Sequence, residues 1–199
     1  MNTGAGAGEG MGERDVRAAL AEARRVLTPH LGRDWSVPAG PLEWSCRETL
    51  AHIGHDLLGY AGQVAARPDD GYLPFDLTVR PDARPAEVLA TALACGELLA
   101  LALAAADPDG RAWHWGPTDP AGFAAMGTAE TLLHTHDIAT GLALDWTPPS
   151  ALCAAVLARL FPDAPAGDPA PVLLWCTGRA GLPGRPRRTS WRWRAARAE

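Results

Sequence analysis

The chain has 199 residues, of which 47% are hydrophobic and 21% charged, with a formal net charge of -5. That length and balance suit one globular domain with a proper core and exclude a disordered or fibrous chain. All 18 basic residues are Arg, which excludes lysine Schiff-base chemistry, and the only basic cluster is the run from Arg185 to Arg197, so nucleic acid is not an expected partner. Cys46, Cys95, Cys153 and Cys176 are widely spaced with no CxxC, and read as small core residues in a reducing compartment rather than as disulfides. The opening MNTGAGAGEGMGER lacks a cationic start and an apolar core, and no apolar run approaches the roughly 20 residues of a membrane span. A cytoplasmic protein with no membrane partner, a monomer or homodimer, is the expectation, with residues 1–11 a disordered N-terminus. The excess of Ala, Gly, Pro and Arg, with no Lys and a single Asn, points to a GC-rich genome.

Val16, Ala19, Leu20, Ala23, Val26 and Leu27 recur at i, i+3, i+4, i+7 and predict a first helix over 12–28, ended by Pro29 and Gly32. Ser45 followed by Glu48 makes a capping box for a second helix that runs to about Arg67. Residues 68–83, PDDGYLPFDLTVRPDA, are rich in Pro and Asp and read as a long connection able to cross the molecule. A third helix spans Arg84 to Ala106, with Val88, Ala92, Cys95, Leu99 and Leu103 on one side.

The segment 107–120 reads as a loop carrying Trp113, His114 and Trp115. A fourth helix follows from Pro120 to Leu142, and a shorter one from Pro149 to Leu160. Four long helices of similar length predict an all-α four-helix bundle with a long crossover between helices two and three. Residues 12–160 therefore read as the bundle with a short fifth helix. Residues 161–199 read as a C-terminal extension packed on it, where VLLWCTG is a short apolar run and TSWRWRA alternates with period two, suggesting an extended arm or hairpin.

The fourth helix holds the chemistry. At 100° per residue, Phe123, Met126, Gly127, Glu130, His134, Asp137 and Gly141 share one stripe roughly 80° wide. A carboxylate on a core-facing stripe is costly unless paired or bound to a cation, and one ion would satisfy both Glu130 and His134, one turn apart. His136 lies on the other side of the helix, and Asp137 is placed to hydrogen-bond an imidazole or a substrate rather than to chelate. An E-x3-H pair is more often an ion pair or a satisfied histidine, so a metal site requires a third ligand. His30, His52, His55 and His114 are available. On the helix-two wheel, Leu50, Ile53, Leu57, Ala61 and Val64 form the apolar stripe, whereas His52, His55, Gly59 and Gln63 lie opposite. Periodicity leaves that face either solvated or lining a cleft.

WSCRETLAHIGHDL, Trp44 to Leu57, resembles the W-x7-H motif of the DinB-like metalloproteins, in particular the mycothiol-dependent maleylpyruvate isomerase group. ETLLHTHDIATG, 130–141, is similar to that group's E-x3-H motif and its following aspartate, and LLWCTGRAGLPG to its TGR segment. The resemblance implies a four-helix bundle with His52, Glu130 and His134 as ligands of a divalent metal, zinc in the first instance. It also implies mycothiol or a related low-molecular-weight thiol as cofactor, and a small electrophilic metabolite as substrate for S-transfer or isomerisation. Within that frame Asp137 and His55 are the proton-handling or orienting residues, Trp113 and Trp115 could wall the site, and Arg179 could bind a carboxylate or form a structural salt bridge. A metal-hydroxide hydrolase and a non-catalytic binding protein on the same scaffold are the alternatives.

Overall fold

Six α-helices and one two-stranded ribbon account for the regular structure in the computed structural model, which describes residues 10–196. Residues 1–9, most of the stretch read as disordered, lie outside the described residues. Helix α1 (Glu13–Leu27) buries the predicted stripe, Val16 through Leu27. Helix α2 (Cys46–Ala66) starts at the predicted capping box: the Glu48 backbone N–H donates to Ser45 Oγ at 3.2 Å, and the Ser45 N–H donates to Glu48 Oε2 at 2.8 Å. Two of the first-turn amides are thereby satisfied. It ends at Arg67, which adopts φ 52, the left-handed conformation that stops a helix. Helix α3 (Pro85–Ala104) begins with proline in its first turn, where a missing N–H costs nothing. Helix α4 (Pro120–Gly141) is capped by Asp119, which accepts from the Gly122 N–H at 2.8 Å.

These four long helices share one core. Both α1 and α2 pack against α3 and α4, the α2–α3 contact being the most extensive, and α5 (Ser150–Leu160) joins α4 from outside. Leu27, Leu50, Leu57, Leu99, Phe123, Met126, Leu132, Leu133 and Ile138 are all fully buried at its centre. By length and composition α3 could also cross a membrane, contrary to the reading of the run as too short. Its apolar surface is interrupted by Glu87 and Glu97, and under half of it is buried.

The connection 68–83 crosses over α2 rather than into solvent. Arg47 on α2 holds its far end, donating from Nε to the Ala83 carbonyl at 3.0 Å and from Nη2 to the Arg80 carbonyl at 2.6 Å. At its near end the fully buried Gln63 donates to the carbonyls of Gly71 (3.0 Å) and Trp113 (2.7 Å) and accepts from the Leu73 N–H. The polar face of α2 is therefore roofed, and the solvated alternative for it falls away.

Two readings need correction. The segment 107–120 is not wholly a loop: β1 (Ala112–Trp113) pairs antiparallel with β2 (Pro117–Thr118) around a tip at Trp115 and Gly116. The apolar run of the extension is a helix, α6 (Pro169–Cys176), packed on α5. Pro169 and Pro171 look like helix breakers in the sequence, but both fall in the first turn, where no N–H partner is required. Beyond α6 the chain makes a tight turn at 182–185 and returns as an irregular arm along the molecule. Arg159 on α5 anchors that arm, donating to the Ala195 carbonyl at 2.7 Å and to Asp119 Oδ1 at 2.7 Å.

Candidate metal centre

His52 comes from α2, Glu130 and His134 from α4, and their ligand atoms all lie within 4.8 Å of one another. His134 Nε2 is 3.1 Å from Glu130 Oε2, an ion-pair separation a few tenths of an ångström short of that between two ligands of one tetrahedral ion. The His52 and His134 rings meet edge to face at 5.0 Å, and Trp44 covers His52 at 4.7 Å. Two imidazoles and one largely buried carboxylate, with no guanidinium bonded to that carboxylate among the described hydrogen bonds, are a donor set suited to a divalent ion.

Electrostatics fit the same reading. Burial works against a charge on His134, but the hydrogen bonds and charge of Asp137 and Glu130 outweigh it and push the imidazole up to about 9. Burial likewise opposes ionisation of Glu130, and the hydrogen bond and charge of His134, with the charge of His52, hold its carboxyl below the ordinary range. A histidine that holds its proton beside a carboxylate that gives its proton up marks a hollow of negative potential, which would favour a dication as well.

Asp137 stands behind His134. Its fully buried carboxylate lies 3.1 Å from His134 Nδ1 and takes a two-point contact from Arg179, Nε to Oδ1 at 3.0 Å and Nη2 to Oδ2 at 2.6 Å. The imidazole proton is thus held on Nδ1, leaving Nε2 to face the centre. Of the two uses read for Arg179, the structure displays the salt bridge. The segment after α6 thereby fixes the orientation of a histidine on α4.

The other expected residues are placed less centrally. His55 stacks on His52 with centroids 6.4 Å apart and is not one of the three convergent side chains. Trp113 packs on Tyr72 at 5.3 Å and Trp115 sits at the ribbon tip, 81% exposed. Neither lines the cleft of about 700 Å³ above the triad, which is walled instead by Trp44 and Trp191 with Arg179, Arg187 and Arg188 around it. Two residues escaped the sequence reading. Asp56 Oδ2 lies 3.1 Å from His52 Nε2, and the Tyr60 hydroxyl donates to Glu130 Oε1 at 3.4 Å. The signal was present: His52, Asp56 and Tyr60 recur every four residues, one row on α2 facing the E-x3-H row on α4.

The family model described as the mycothiol maleylpyruvate isomerase N-terminal domain matches residues 14–139, a span that includes all three convergent side chains. No curated protein and no solved structure matches the chain.

Proposed function

Because the chain belongs to the mycothiol maleylpyruvate isomerase N-terminal domain family, we propose that it is a metal-dependent enzyme using mycothiol or a related thiol on a small electrophilic metabolite. In this reading α1–α4 form the family's DinB-like bundle, and His52, Glu130 and His134 hold a divalent ion, zinc in the first instance. The observation that carries it is the convergence of those three side chains from two helices onto one point. A dication there lowers the pKa of a thiol, so that the thiolate nucleophile is available at neutral pH.

The residues divide the remaining work. Asp137, held by Arg179, keeps His134 in the ligating tautomer. Trp44 and Trp191 border the cleft with apolar ring surface, which lowers the local polarity and strengthens charge interactions inside it. His55, half-buried beside His52, is placed to receive the proton released by the thiol. Sulfur then adds to one carbon of an electrophilic double bond, whose π electrons move onto the conjugated carbonyl as an enolate. S-transfer ends when that enolate takes up the proton held by His55, whereas isomerisation continues by rotation about the bond left single and return of the enolate electrons, which restores the double bond as the thiolate departs. Four free, buried cysteines suit the reducing compartment in which such a thiol is abundant, and a cytoplasmic location is part of the proposal.

Metal analysis of wild type beside His134→Ala, with an adduct assay of mycothiol against a panel of electrophiles, tests the reading. About one dication per chain is expected in the wild type, at least tenfold less in the variant, and adduct formation that a chelator abolishes. Activity that survives metal removal, or that needs no thiol, would refute it.

A further inference from the structure

A second space lies near the triad and shares no lining residue with the arginine-bordered cleft. It has a volume of about 350 Å³ and lies between α2 and the crossover, lined by Asp56, Tyr60, Tyr72, Phe75 and Asp76 among others, with no arginine in its wall. Two of those residues touch the triad directly, Asp56 at His52 and Tyr60 at Glu130. Asp56 and Tyr60 are thus the side chains that separate the chamber from the triad.

The polar groups have defined directions. Trp193 Nε1 lies 3.3 Å from His114 Nε2, and an indole N–H can only donate, so Nε2 accepts and the ring proton sits on Nδ1. That nitrogen faces the Tyr72 hydroxyl, which accepts from it. Burial pushes the His114 imidazole down to about 4, so the arrangement stays neutral near neutral pH. The hydroxyl's own proton must then point away from His114, and Tyr72 forms part of the chamber wall. One oriented donor thus shares the wall with two carboxylate acceptors, Asp56 and Asp76. At the same place the Tyr72 and Phe75 residues remain 44% and 43% exposed, offering apolar ring faces beside the polar groups.

Two carboxylates and no arginine in the wall, with His55 as its one ionisable base, disfavour an anion. A donor, several acceptors and an open aromatic face together fit a neutral hydroxylated ring, whose hydroxyls donate to carboxylates and whose C–H face lies on an aromatic. The volume is within the range of small-molecule pockets. We propose that this chamber binds the polyhydroxylated glucosaminyl-inositol part of mycothiol, its cysteine sulfur reaching the triad past Asp56 and Tyr60, while the arginine-bordered cleft receives the electrophile. The proposal rests on the thiol reading above and assigns the two sides of the centre by charge.

The test uses the full chain and two fragments. Calorimetry with the neutral, thiol-free probe N-acetylglucosaminyl-inositol should show binding to the wild type and at least about fivefold weaker binding to Tyr72→Phe, which removes one hydrogen bond and no ring. Asp76→Asn should weaken it similarly. In the cobalt-loaded protein, N-acetylcysteine should give a sulfur-to-cobalt charge-transfer band that Tyr72→Phe leaves unchanged. If the probe fails to bind at about 10 mM, binds Tyr72→Phe as well as wild type, or binds only in its unacetylated cationic form, the chamber assignment is overturned even where the band forms. Probe binding with no band would instead refute the thiol reading, and with it the link to mycothiol.

Discussion

Replacing Asp137 by asparagine separates two roles that meet in one carboxylate. The amide keeps the volume but offers one oxygen where two now serve three contacts: Nδ1 of His134 at 3.1 Å and the Arg179 fork at 3.0 and 2.6 Å. An amide NH2 must face one of these donors. With the proton on His134 no longer held, metal affinity should fall about 10–100-fold, or about 1.4–2.8 kcal/mol. Arg179, whose side chain is 9% exposed, is left charged and poorly partnered, which costs up to about 3–5 kcal/mol of folding stability. Competition against a chromophoric chelator reads the first quantity, and urea unfolding of the metal-free protein the second. Arg179→Met supplies the comparison, since it removes the cation and leaves the Asp137–His134 contact. It should lose stability and, because Asp137 is then held by His134 alone, part of the metal affinity, though less than Asp137→Asn loses. An Asp137→Asn protein that binds metal normally would refute the orienting role. So would an Arg179→Met protein that loses as much metal affinity as Asp137→Asn.

Three further outcomes follow from burial and contact. His114 titrates at about 4 when folded against 6.5 ordinarily, so the unfolded chain takes up a proton in that window that the folded one does not. The resulting stability is complete above pH 6.5 and is lost as pH falls toward 4, by at most about 3 kcal/mol; His114→Gln should flatten the pH dependence of the urea midpoint there, and an unchanged slope would count against burial of a neutral ring. A Cβ on Gly141 would collide with the Pro38 carbonyl oxygen and lie 2.8 Å from Cys46 Sγ, so Gly141→Ala should lower the unfolding free energy by about 1–3 kcal/mol, read as a lower urea midpoint at constant slope. Arg159→Ala removes the anchors at Asp119, Arg194 and Ala195 and should expose 178–196 to limited proteolysis, at a global cost of about 1–3 kcal/mol; an equally resistant arm would show that Trp191 and Trp193 suffice to hold it.

The fold places the site through its least regular parts. Trp44 belongs to the stretch before α2, Arg179 follows α6, and Trp191 belongs to the returning arm, yet all three border the cleft over two histidines and a glutamate set on rigid helices. Such a division keeps the three convergent side chains fixed on rigid helices, while the segments that border the cleft are free to vary.

Local signals in the residues determined the long helices of this protein. The 3.6-residue stripe of α1, the Ser45–Glu48 box of α2 and the proline starts of α3 and α4 are interactions between neighbours along the chain, and neighbours are what a sequence displays. The one-turn spacing of Glu130 and His134 was legible for the same reason, as was the row of His52 and Asp56, although the latter went unread. Tertiary structure alone decided which polar face is wet. On the α2 wheel, His52 and Gln63 look solvated, and only the crossover over 68–83, tied down by Arg47 and Gln63, turns that face into a cleft. The partners of Asp137 and His114 were equally out of reach, since Arg179 and Trp193 lie far along the chain. A helix wheel records direction but not what stands opposite, and burial, ligation and tautomer all depend on what stands opposite.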